Sequence, residues 1–173
     1  VCVITVSDTR QAMMVCVPYF FDYPANRMRM VGVTGTNGKT TTTHMIRHIL
    51  KAQGHKVGVI GTVHIMIGDT SYPIHNTTPD VVDLQHILHQ MVQENVEYCV
   101  MEVSSHALAL GRVSGVEFDT AVFTNLTQDH LDFHKTFENY LAAKCKLFEQ
   151  VSASDQVKDN KGAVINIDDS YGH

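Results

Sequence analysis

The chain has 173 residues, of which 44% are hydrophobic and 18% charged, with a formal net charge of −5. That suits one globular domain with a sizeable core, or one domain plus a fragment. The acidic balance and the lack of a basic stripe exclude broad nucleic-acid binding through phosphates, and no apolar run approaches the roughly 20 residues of a membrane span. The first residues, VCVITV, are too short and lack the basic flank of a signal peptide, so they read as a strand. A helix is expected from Ser7-Asp8-Thr9-Arg10 through Tyr19-Phe20-Phe21, capped by Ser7 or Asp8. DYPANR then ends it, with Pro24 as the break.

From Met30 the pattern alternates. MVGVT reads as a buried strand, and residues 40–52 as a helix with Met45, Ile46, Ile49 and Leu50 at helical spacing. KVGVIGTV is the next strand, followed by a loop containing Gly68-Asp69 and Pro73. TTPD caps a helix over about 81–94. YCVMEV is a strand, SSHALAL a short turn or helix, and DTAVFTNL another strand. FENYLAAKCKLFEQV is a helix and GAVINID a last strand. Strands alternating with helices imply an α/β fold, a mostly parallel sheet with helices on both faces. In such sheets ligands gather beyond the C-terminal ends of the strands. TGTNGKTTT, EVSSH and TNLTQDH each follow an apolar strand, so all three are expected at one crevice.

The first cluster sits in GVTGTNGKTTT. Its glycines let backbone N–H groups turn towards phosphate oxygens, and the N-terminus of the following helix adds partial positive charge. Lys39 can reach terminal phosphates and the Thr40 hydroxyl can ligate magnesium. The strict phosphate-loop spacing GxxxxGK[ST] would place a glycine at position 33, which is valine, so the motif is a variant with displaced glycines. Glu102, leaving a buried strand, suits a hard cation such as magnesium, although a carboxylate there can also cap the following turn. TNLTQDHLDFH gathers Asn125, Asp129, His130, Asp132 and His134, and by itself reads as a polar loop ahead of a helix. Lys144, within AAKCKLF, reads by itself as a surface lysine.

Four cysteines lie apart without metal-binding spacing, which suits a reduced, cytoplasmic protein. Of the 11 histidines, the pairs His44/His48 and His86/His89 share helix faces but lack an acidic partner pattern, so they read as ordinary surface residues.

Taken together, GVTGTNGKTTT, NTTPD, MEVSSHALALGRV, FTNLTQDHLDFH and YLAAKCKLF, in this order, resemble the Mur ligases, the ATP-dependent amide-bond ligases of bacterial cell-wall precursor synthesis. The likeness runs from about Thr5 to Gly172. It is strongest to the members that add the third amino acid to UDP-N-acetylmuramoyl-L-alanyl-D-glutamate through an acyl phosphate. The resemblance implies that Thr36, Asn37, Gly38, Lys39, Thr40, Thr41 and Thr42 form the ATP loop. It gives Thr40 and Glu102 one magnesium ion, and His130 and Lys144 a second, with Lys144 carbamylated by carbon dioxide. Lys39, Lys144 and His130 would be the catalytic residues, and Thr77, Thr78, Ser104 and Arg112 would hold the muramoyl dipeptide. A glutamine that some members place two residues before the arginine is Leu110 here, so that contact is expected to be missing.

The same resemblance implies a cytoplasmic monomer acting on a UDP-muramoyl dipeptide and either diaminopimelate or lysine, without nucleic acid or membrane. Residues 1–29 match the tail of an N-terminal UDP-binding domain, and residues 30–173 the first part of a central phosphate-loop ATP-binding domain. The C-terminal domain is expected to be absent, so this polypeptide alone is not expected to ligate. Two other readings remain open: a folylpolyglutamate-synthetase-like ligase, and a nucleotide-binding module without catalysis.

Overall fold

A computed structural model describes residues 3–74, 76–153 and 158–173. Helix α1 spans Thr9–Phe20. Asp8 caps it, its Oδ1 accepting from the backbone N–H groups of Arg10 at 2.8 Å and Gln11 at 3.1 Å. Residues 3–6 form no strand. Among the described residues, the β-rich composition there has no neighbouring strand to pair with, and Val3 and Ile4 stand exposed.

A 3-10 turn, Pro24–Arg27, leads into β1, Arg29–Thr34, and then α2, Lys39–Ala52. Strand β2, Val57–Ile60, is followed by β3, Ile65–Ile67, and β4, Thr70–Tyr72. The expected loop around Gly68-Asp69 is therefore a β-hairpin. Ile67 pairs with Thr70 across a two-residue turn, and Gly68 takes the positive φ of 60° that such turns favour. Helix α3, Val81–Gln93, β5, Tyr98–Glu102, and the short α4, Ser105–Ala109, come next. Then follow β6, Thr120–Phe123, α5, Leu131–His134, α6, Phe137–Ala153, and β7, Gly162–Ile165.

The seven strands form one sheet in the order β4-β3-β2-β5-β1-β6-β7. Strands β2, β5, β1, β6 and β7 run parallel, and the hairpin adds two antiparallel strands at one edge. The central strands are buried on both sides, which explains their unbroken apolar runs. One face holds the larger core, where Met30 and Met101 meet Leu84, Leu88 and Met91 of α3 and Leu147 and Val151 of α6. Gly32 permits this approach, because a β-carbon there would lie 2.9 Å from the Phe118 ring and 3.0 Å from Leu147. On the other face Val33, Val57 and Val100 pack with Ile46 and Leu50 of α2. Only half of the expected α2 stripe is covered, since Met45 and Ile49 are exposed.

A buried ionic knot ties the N-terminal ends of the strands. Asp119 Oδ2 accepts from the Met30 backbone N–H and from Lys158 Nζ, each at 2.7 Å, while Oδ1 accepts from Arg29 Nη1 at 2.7 Å. Lys158 also donates to the carbonyls of Met28 and Glu117, at 2.9 and 2.7 Å. Among the described residues, no helix is long and apolar enough to cross a membrane.

Candidate functional site

The three polar clusters meet at the opposite end of the sheet. Val33 is wholly buried inside β1, so the loop proper begins at Gly35 and turns through Gly38. Gly35 has φ 143°, and a β-carbon there would sit 1.9 Å from Thr124 Oγ1. Gly38 has φ 85° and opens α2. The glycines thus occupy the positions where the backbone needs them, which accounts for their displacement from the strict spacing.

The segment after β6 braces this loop. Asn125 accepts from the Thr36 backbone N–H through its carbonyl and from the Asn37 N–H through Oδ1, both at 2.9 Å. Asn125 Nδ2 and Thr124 Oγ1 donate to the Asn37 carbonyl at 3.0 and 2.7 Å. Thr36 Oγ1 lies 3.0 Å from the Tyr140 hydroxyl. Asn125, one of the polar residues of the third cluster, therefore shapes the first.

Lys39 Nζ donates to the carbonyls of Gly35 and Thr36 at 3.0 and 2.7 Å. Burial lowers its pKa, opposed by the charges of Glu102 and Asp129. Thr40 Oγ1 donates to Glu102 Oε1 at 2.9 Å, so a hydroxyl and a carboxylate converge at the start of α2. Glu102 is almost wholly buried, and Thr62 donates to it through both its N–H and its hydroxyl, at 2.9 and 3.1 Å. Thr41 is exposed, whereas the Thr42 N–H bonds the Gly38 carbonyl in the first helical turn.

Lys144 is no surface lysine. It is 2% exposed, its Nζ donates to the same Gly35 carbonyl at 2.8 Å, and it stands 4.4 Å from the Tyr140 ring centre. Burial, and then the charge of Lys39, bring its pKa down to about 7. His130 sits at positive φ ahead of α5, half-exposed, with Nε2 3.4 Å from Asp129. Its ring meets His106 edge-on at 4.8 Å and Tyr140 at 6.3 Å. Lys144 and His130 thus flank one tyrosine.

His106 also packs on Phe133 at 4.2 Å, and the buried His134 places Nε2 2.9 Å from Ser105 Oγ. Burial first, then neighbouring imidazoles, lowers the pKa of both His106 and His134. His106 was not singled out by sequence reasoning. Its position in the strand-end cluster EVSSH was the available signal.

Thr77, Thr78, Ser104 and Arg112 come together beside Glu102. Thr78 Oγ1 donates to the Glu102 carbonyl at 2.9 Å and accepts from the Ser104 N–H at 3.1 Å. Arg112 pairs with Asp80 at 2.8 Å and donates to the Thr78 carbonyl at 3.3 Å. Asp80, Arg112 and Leu110 line a cleft of about 300 Å³ whose other wall is α1, with Arg10 and Met14. Leu110 presents hydrocarbon there.

The donor set suits a magnesium nucleotide. Positive-φ glycines, a helix start and an ammonium group fit phosphates, and the Thr40–Glu102 oxygens fit a hard cation. A lysine with pKa near 7 holds the neutral amine that a carbamate needs, so Lys144 also fits its implied modification. Among the described residues, no three His, Cys, Asp or Glu side chains are grouped to hold a metal. His44 instead meets His64 edge-on, and His86 and His89 pack on Phe21.

A family model described as the Mur ligase middle domain matches residues 33–173. The UDP-N-acetylmuramoyl-L-alanyl-D-glutamate–2,6-diaminopimelate ligase of Geobacillus kaustophilus is 54% identical over 167 residues, 96% of this chain and 34% of that protein. Ligase 1 of the same description from Clostridium acetobutylicum is 51% identical over 170 residues, 98% of this chain and 33% of that protein. The chain therefore spans about a third of the length of the curated relatives it matches. A solved diaminopimelate ligase of this description superposes with a TM-score of 0.76 at 32% identity, covering 98% of this chain and 33% of that one. A Mycobacterium tuberculosis folylpolyglutamate synthase shares the fold at a TM-score of 0.67 and 14% identity, covering 90% of this chain and 41% of that one.

Proposed function

The chain belongs to the Mur ligase family, and we propose that it carries the ATP- and substrate-binding core of a ligase that adds diaminopimelate to UDP-N-acetylmuramoyl-L-alanyl-D-glutamate. The observation that carries this reading is the convergence of Lys39, Lys144 and the Thr40–Glu102 pair on one loop at the mouth of β1. The names of the relatives at 51% and 54% identity favour diaminopimelate over lysine as the amino acid. Residues 1–29 are read as the tail of a UDP-binding domain, and residues 30–173 as the first part of the ATP-binding domain. The free cysteines among the described residues, Cys16, Cys99 and Cys145, accord with the cytoplasm.

In this reading Thr36 to Thr42 cradle the phosphates and Lys39 swings from the Gly35 and Thr36 carbonyls to the terminal ones. Thr40 and Glu102 hold one magnesium ion, while His130 and a carbamate on Lys144 hold another. Thr77, Thr78, Ser104 and Arg112, which lie beside Glu102, would hold the muramoyl dipeptide next to the cradle. ATP would supply the phosphoryl group that turns the dipeptide's D-glutamyl carboxylate into an acyl phosphate, with ADP leaving, and attack by the incoming amine would then expel phosphate. Magnesium, when bound, neutralises charge on the phosphates. The protein's own contribution is positioning and fixed dipoles, the main levers in phosphoryl transfer.

Calorimetric titration of magnesium and a non-hydrolysable ATP analogue into this chain tests the proposal. Lys39→Ala removes a charge-assisted contact to phosphate, and binding is expected to weaken by about 10- to 100-fold. Equal affinities in the two proteins, or no binding by the parent, would count against the cradle. Binding of UDP-muramoyl dipeptide, and of no folate, separates this reading from polyglutamate ligation. A module without catalysis is separated by Lys144, which it has no reason to carbamylate.

A further inference from the structure

We propose that the Gly61–Thr62 turn at the end of β2 is the seat of the Glu102 carboxylate, and that Thr62 is a positioning residue linking that carboxylate to Thr77 on the dipeptide loop. This rests on the reading of Glu102 as a magnesium ligand.

Two independent features build the seat. At Gly61 a β-carbon would lie 2.4 Å from Glu102 Oε1 and 3.2 Å from its carboxyl carbon, so the carboxylate occupies the space where any other residue would place a side chain. Thr62 then grips both carboxylate oxygens, its N–H bonding Oε1 at 2.9 Å and its hydroxyl bonding Oε2 at 3.1 Å. The chain turns back immediately after, with the Gly61 N–H bonded to the His64 carbonyl at 3.3 Å, which holds Thr62 at the tip of a tight turn. A carboxylate has about four lone-pair sites; Thr40 and the Thr62 N–H take those of Oε1 and the Thr62 hydroxyl one of Oε2, so the plane of the group is fixed while Oε2 keeps a site for a cation. Such outer contacts orient a ligand and hold its geometry.

The Thr62 hydroxyl also lies 3.2 Å from the Thr77 hydroxyl. With its single proton on the carboxylate, Thr62 accepts from Thr77, giving the chain Thr77–Thr62–Glu102. A second path joins the same loop to the same residue, since Thr78 Oγ1 bonds the Glu102 carbonyl. The carboxylate read as the cation's ligand and the dipeptide loop are therefore positioned together through the Thr62 side chain.

Manganese(II) replaces magnesium as a paramagnetic probe. Its binding to the chain in the presence of a non-hydrolysable ATP analogue is followed by electron paramagnetic resonance for the parent, Thr62→Val, Thr62→Ser and Gly61→Ala. Thr62→Val keeps the shape and the N–H but loses the hydroxyl, and a roughly 10-fold or greater loss of manganese affinity is expected. Thr62→Ser restores the hydroxyl and should bind within a few-fold of the parent. Gly61→Ala should weaken binding as Thr62→Val does. Thr62 is exposed but its hydroxyl serves a buried carboxylate, so Thr62→Val is expected to stay folded while unfolding a few degrees below the parent, and Thr62→Ser close to it, which circular dichroism checks. Parent-like manganese affinity in Thr62→Val, or a Thr62→Ser protein as weak as Thr62→Val, overturns the inference and leaves the magnesium reading standing. A parent chain that binds no manganese with the nucleotide overturns both.

Discussion

Asp119→Ala is expected to cost the fold about 3–5 kcal/mol, the usual penalty for removing one partner of a buried ion pair. Asp119 and Lys158 have side chains only 5% and 4% exposed. Truncating the carboxylate leaves the Lys158 ammonium among carbonyls alone and strips the Met30 N–H of its acceptor. Three pieces of chain then lose their common anchor: the start of β1, the start of β6 and the segment after α6. Arg29 contributes less, since it is half-exposed and screened by water. Urea unfolding of the parent, Asp119→Ala, Lys158→Met and the double variant measures the effect. The double variant should lose less than the sum of the two single ones, because it leaves no unpaired charge. A loss below about 1 kcal/mol for Asp119→Ala, the range of an exposed pair, would show that water reaches the knot.

The second large effect is expected at Lys144. Its pKa is about 7 in the folded chain against an ordinary 10.5, with burial as the main cause and the charge of Lys39 next. Between these values the unfolded chain binds more protons than the folded one, so stability rises with pH across the window. Below about pH 7 the ammonium is buried in full and that gain is gone. The unfolding constant is expected to change by up to about tenfold per pH unit from this one group. Lys144→Met should remove the dependence, so its advantage over the parent is greatest below pH 7 and shrinks as pH rises.

The same neutral amine should take up carbon dioxide. In carbon-13 bicarbonate, a carbamate resonance is expected in the parent, growing as pH rises through about 7, and missing in Lys144→Met. A flat stability difference across the window would contradict the buried amine. No carbamate signal at pH 8, or an equal signal in both proteins, would contradict the modification.

These two sites show how far the chain could be read before folding. Lys158 drew no notice in the sequence, and Asp119 was only the first residue of a strand. Their pairing spans 39 positions, and no local periodicity reports it. Lys144 is the sharper case, since its neighbours in AAKCKLF suggest an ordinary surface lysine. The resemblance to Mur ligases gave it a role, whereas the structure supplies the reason that role is chemically available. The hairpin β3–β4 was missed although Gly68-Asp69 gave a turn signal, because three-residue strands show too little alternation to register. VCVITV misled in the other direction, since its described residues 3–6 are rich in strand-forming types yet form no strand.

The sequence alone determined the alternation of strands and helices, the parallel sheet, the glycine-bearing loop in GVTGTNGKTTT and the gathering of three polar clusters at one end. All of these follow from hydrophobic period and turn chemistry, which act within a few residues. Only the tertiary structure decided that Glu102 is seated on Gly61–Thr62, that Lys144 is buried and that three histidines share one aromatic cluster. Distances between strand ends, and the loss of water around a charged group, depend on which distant segments pack together, and that is settled only when the whole core closes.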